Sequence, residues 1–133
     1  MGTWGTGPFD DDNASDWVWK LQEADDWGVV MTALRGAADV DAEGYLEAPD
    51  GQIAWAAAAV VAAADEPAVT VPETVSDWLE RHREGRPPEA RPLASTALGR
   101  VLADQSELAE LWQEAEDEEE WRGNVQRLSA LLQ

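Results

Sequence analysis

An all-α fold follows from three features of the sequence. Apolar residues recur at three- and four-residue spacing along most of the chain. No stretch sustains the apolar-polar alternation of a half-buried strand. Residues that cap, start or stop helices punctuate the chain at helix-length intervals. The expected architecture is a compact single domain, residues 1–133, of six or seven short helices, with a Trp/Gly-rich N-terminal segment packed on the bundle.

The first helix is expected from Asp12 to about Asp25, with Trp17, Val18 and Leu21 facing inward and Gly28 kinking or ending it. Trp27, Val30, Met31 and Leu34 mark a second helix, with Gly36 as its stop. Residues 39–51 read as a connection, and Pro49 suits the first turn of a third helix. Ile53, Ala57, Val60, Val61 and Ala64 line one face of that helix, whose alanines allow close approach of a neighbour. Thr70 and Glu73 in TVPE fit a capping box, ahead of an apolar face of Val75, Trp78, Leu79 and His82. The Pro-rich run 84–92 breaks the pattern. Leu93, Ala97, Leu98, Val101 and Leu102 mark the next helix. Ser106 caps a short one carrying Leu108, Leu111, Trp112 and Ala115. Trp121, Val125, Leu128 and Leu132 define the last, with Asp117 as cap and Glu120 as its reciprocal partner.

Charge is the strongest global feature. Nine basic residues stand against 28 acidic ones, a net charge of −19. The excess is spread over both halves of the chain, so it is not a tail. Such a surface repels the phosphates of nucleic acid and of anionic lipid, so neither is expected as a direct partner. It serves solubility or adaptation to salt, and it would attract basic proteins or cations. The absence of cysteine excludes a disulfide framework, thiolate metal ligands and a cysteine nucleophile. It fits a reducing cytoplasm. The longest apolar run, residues 53–64, is too short for a membrane span. MGTWGT matches an N-myristoylation pattern, but acidic residues follow where an anchor needs basic help, so no anchor is expected.

The opening stretch GTWGTGPFDDD crowds glycines, aromatics and aspartates together. Its glycine spacing differs from that of dinucleotide and phosphate loops, no strand precedes it and no lysine follows, so nucleotide binding is not expected. Asp10, Asp11, Asp12 and Asp16 form the candidate acidic site. Asp12 and Asp16 share a helix face, and clustered carboxylates suit Ca²⁺ or Mg²⁺. The same aspartates also suit helix capping and the positive end of the helix dipole. His82, the single histidine, sits between Arg81 and Arg83 at the polar end of an apolar stripe and reads as a boundary residue. No nucleophile-base pair stands out.

The motif WGTGPFDDDNASDW resembles the opening of a bacterial family, the domain-of-unknown-function family numbered 4259 (DUF4259). Trp4, Gly5, Gly7, Phe9, Asp10, Asp12, Ala14 and Asp16 match its pattern; Asp11 stands where the pattern has Asn. The likeness runs on through GYLEAP at 44–49, the Ala-rich helix, Trp78, SELAELW at 106–112 and EEEWRGNVQRL. The family pattern implies a Glu where this chain has Ala59, so any role resting on that Glu is missing here. The resemblance implies a small stand-alone protein and no particular activity. Together with the glycines it makes the terminus a plug. Trp4, Phe9 and Trp17 enter the core, and Gly5 and Gly7 permit close approaches denied to other residues.

The function expected first is non-enzymatic: a protein-binding or regulatory module of inhibitor, immunity or nucleic-acid-mimic type, acting on a basic protein. The alternative is a divalent-metal-dependent hydrolase or metal-binding protein using Asp10, Asp11, Asp12 and Asp16.

Overall fold

A computed structural model describes residues 5–41 and 43–133. Trp4 and the Met1–Gly2 pattern lie outside the described residues. Among the described residues seven α-helices follow one another: α1 (Asp12–Gln22), α2 (Gly28–Ala38), α3 (Ala48–Asp65), α4 (Glu73–His82), α5 (Ala90–Leu102), α6 (Glu107–Gln113) and α7 (Glu118–Leu131). A short 3₁₀ turn, Arg83–Gly85, follows α4. Among the described residues there is no strand; Leu46 and Ser106 form an isolated parallel bridge. No described helix is long and apolar enough to cross a membrane.

Helix α3 is the axis of the molecule and touches each of the other six helices. Its sequence explains this. Thirteen of its 18 residues are buried, most of them alanines, so neighbours approach closely on every side. A helix apolar all round belongs inside a domain. The expectation of a single buried face was therefore too narrow, and Ile53, placed on it, is only partly buried. Helices α2 and α5 make its most extensive contacts. Pro49 sits in the first turn as expected.

Helix α1 ends at Gln22, short of Asp25, and just beyond it the Ala24 carbonyl accepts the Trp78 indole N–H (3.0 Å). Gly28 does not end α1 but opens α2. Trp27 crosses Trp78 edge-on, ring centroids 5.0 Å apart, and donates to the His82 carbonyl (2.7 Å). His82 stacks on Trp78 at 4.6 Å, which confirms its boundary position and ties its ring to packing. Gly36 lies inside α2, which continues to Ala38 because Ala37 still faces the core.

The capping expectations divide. Ser106 caps α6, accepting from the Ala109 amide (3.4 Å). Thr70 does not cap α4. Pro72 disfavours helical backbone at Val71, so the helix starts one residue after the proline, with the Pro72 carbonyl accepting the first amides. Asp117 makes no side-chain cap on α7. Its backbone (φ −93°, ψ 16°) lacks the extended form that aims a capping side chain. Glu120 turns instead to Thr6. Leu111, expected inward, is exposed, while Ala109 takes the buried position.

The loop before α3 is held to the loop before α6. Leu46 and Ser106 form the bridge through Leu46 N–H to Gln105 O (2.8 Å) and Glu107 N–H to Leu46 O (2.9 Å). The Ala48 amide donates to Glu107 Oε1 (2.8 Å) and Arg100 Nη2 donates to the Gly44 carbonyl (2.5 Å). Gln105 reaches this position with a left-handed backbone (φ 56°).

Candidate functional site

The N-terminal segment builds one edge of the candidate site. Asp10 Oδ2 accepts the Gly7 amide (2.9 Å), and the Asp10 amide returns to the Gly7 carbonyl (3.3 Å). This tight turn explains both glycines. A Cβ at Gly5 would lie 2.5 Å from Asp10 Oδ2, and one at Gly7 2.8 Å. Either would push the carboxylate off the Gly7 amide. Asn124 on α7 donates to the Thr6 carbonyl (2.9 Å) and Oγ1 (3.2 Å), and Thr6 Oγ1 donates to Glu120 (2.9 Å). Phe9 is half-buried against the core. The segment is thus fastened to α7 at Thr6 and to the core at Phe9.

Asp11 is the N-cap of α1. Its extended backbone (φ −147°, ψ 164°) lets Oδ1 accept the Ala14 amide at 2.7 Å. The residue is only 4 % exposed. Burial pushes its carboxyl above the ordinary value, the backbone amides of Ala14 and Asn13 pull against that shift, and the charges of Asp10 and Asp12 add to it. Asp12 and Asp16, by contrast, stand exposed on the outer face of α1. The four aspartates therefore separate into two that hold backbone amides and two that face water. Among the described residues, no three His, Asp or Glu side chains gather as a ligand set. Trp17 is buried on the opposite face of α1.

Sequence periodicity missed Trp19. It is 66 % exposed and shares the outer face of α1 with Asp12, Asp16 and Glu23, all exposed. The signal was present: Trp19 falls off the Ala14, Trp17, Leu21 stripe and lies three residues beyond Asp16. Beside it Phe9, Val18 and Pro72 line a groove of about 320 Å³. A second groove of about 350 Å³, between residues 7–10 and 70–72, continues from Phe9 and Pro72.

A groove of about 590 Å³ lies between α3, α7 and residues 66–70, with Trp55, Asn124, Arg127 and Leu128 among its walls. Ala59 is buried in its wall, so position 59 brings no carboxylate there; Glu66, just past the end of α3, lines the groove. The acidic surface is largely uncompensated. Among the described residues, ion pairs engage only Asp65, with Arg86 and Arg91, and Glu118, with Arg122. Residues 2–124 match a family model described as Domain of unknown function (DUF4259). No curated protein and no solved structure matches the chain.

Proposed function

The chain belongs to the DUF4259 family, whose description assigns no activity, and we propose that it is a non-enzymatic binding protein that captures a basic partner protein through its acidic surface. The observation that carries this reading is the charge imbalance. With 28 acidic and nine basic side chains, and two carboxylates in ion pairs among the described residues, most of the negative charge faces outward without a counter-charge. A field of that sign steers positively charged partners and rejects acidic ones. Inhibitor, immunity and nucleic-acid-mimic roles all use this chemistry, the last with carboxylates in place of phosphates. The cytoplasm suits a cysteine-free chain acting on such a partner.

The test is affinity capture from the host followed by reconstitution with the purified partner. The expected result is a stoichiometric complex with a basic protein whose dissociation constant rises steeply with salt. Displacement of DNA from that partner identifies the mimic role. A partner that is acidic, or a complex indifferent to salt, overturns the reading.

A further inference from the structure

Of the seven described tryptophans, Trp19 alone is exposed. Trp17, Trp27, Trp55, Trp78 and Trp121 are buried and Trp112 is half-buried. Trp19 takes part in none of the aromatic pairs among the described residues. Nor does α1 need it for attachment, because Ala14, Trp17 and Leu21 already anchor the helix. A tryptophan left in water forgoes the large burial energy that an aromatic ring provides.

Its surroundings name the chemistry of what covers it. Asp12, Asp16 and Glu23 stand seven and three residues before it and four after it, one exposed stripe of an α-helix. None of the three is in an ion pair among the described residues. Lys20, the sole cation of α1, lines a different groove, toward α2. An indole face flanked by carboxylates attracts a cation twice, through its quadrupole and through Coulomb attraction. Trp19 is itself one wall of the groove at Phe9, Val18 and Pro72, whose other side is polar, with Ser15, Gln22 and Thr74, so it offers a half-apolar seat.

We propose that the outer face of α1 is the docking site for a cationic, extended segment of the partner, with an arginine or lysine head seated on Trp19 between Asp16 and Glu23, and an adjacent apolar side chain in the groove at Phe9 and Pro72. The site rests on the acidic-surface reading above and locates it. Arginine fits best, because its planar guanidinium stacks on an indole while donating to carboxylates. A second copy of this chain is a poor occupant, since two surfaces of this charge repel each other.

The experiment is a nuclear magnetic resonance titration of the ¹⁵N-labelled full chain at low salt. The probe is a short synthetic peptide of arginines interspersed with leucines, with a glutamate-leucine peptide as control. The Trp19 indole N–H signal is expected to move with the arginine peptide while the buried indoles stay. Trp19→Ala, at an exposed position, keeps the fold by circular dichroism and weakens binding about tenfold. Neutralising Asp16 and Glu23 together weakens it further than neutralising Glu114 and Glu116 in the α6–α7 turn, an equal change in net charge. A stationary Trp19 signal with equal losses from both pairs overturns this site and leaves the general acidic reading standing. No binding of the arginine peptide overturns both. A Trp19 signal that moves with protein concentration alone shows a second copy on the face and overturns the proposal.

Discussion

Asp11 is buried and still accepts the Ala14 amide, so its carboxylate both caps α1 and resists its own ionisation. Asp11→Ala should lose about 1 kcal/mol of stability through the missing cap. Asp11→Asn should retain the fold at neutral pH, because the amide oxygen still caps and no charge is buried. The sign follows from linkage. A carboxyl raised above its ordinary 3.8 in the folded state takes up its proton more readily there, so stability falls as pH climbs from 3.8 through the raised value. The advantage of Asn over Asp is therefore full at neutral pH and disappears in acid, as parallel urea titrations at two pH values will show. Tyr45, the only tyrosine, gives a cleaner readout. Its hydroxyl donates to Glu110 Oε1 at 2.6 Å, and that bond, with desolvation and the charges of Glu110, Glu107 and Glu47, pushes its ionisation up to about 12. Glu110→Gln should move the ultraviolet titration of the phenol down toward 10.

Helix α3 works because its side chains are small. Ala57 and Ala58 are fully buried, and neighbouring helices close over them. Ala57→Leu should cost about 1–3 kcal/mol by overpacking, since the surrounding helices have no slack to give. Thermal unfolding checks it, and an unchanged melting temperature would show that the helices around α3 are loosely fitted. The N-terminal segment behaves as an element in its own right. Asn124 is its main fastening to α7. Asn124→Ala should expose residues 5–10 to limited proteolysis while global stability drops by only about 1 kcal/mol. Cutting at an unchanged rate would mean that Phe9 and the Asp10 turn hold the segment unaided.

For the molecule as a whole, repulsion among unpaired carboxylates opposes the compact state. Raising monovalent salt shrinks the Debye length from about 10 Å at 0.1 M to about 3 Å at 1 M, so the melting temperature should rise, and by similar amounts in sodium and potassium chloride. A fall with salt would mean that attractive pairs dominate. Asp65 is the exception that runs the other way. Its partial burial works against the charge, but Arg86 and Arg91 outweigh that and hold its carboxyl below the ordinary value. Its contribution is present above 3.8 and is lost as pH falls through the lowered value, and its exposure to solvent keeps it small.

The helical class, the order of the elements and most of the core were determined by the sequence itself, because apolar spacing near 3.6 residues is a local property that each segment carries alone. Trp17, Leu21, Trp121 and Val125 needed nothing further. The Ser106 cap was legible for the same reason, and Pro72 already argued against Thr70. What lies around α3 was not legible. Alanine reads as weakly apolar, and only the packing of six helices around it shows that every face is buried. The helix start at Asp12, which sets Asp10 and Asp11 apart from Asp12 and Asp16, was legible; which carboxylate caps was not, since capping depends on the backbone angles of the N-cap residue. Trp19 made the same demand. Whether a tryptophan off the stripe meets a neighbouring helix or water is decided by what packs beside α1, and here that face is left open.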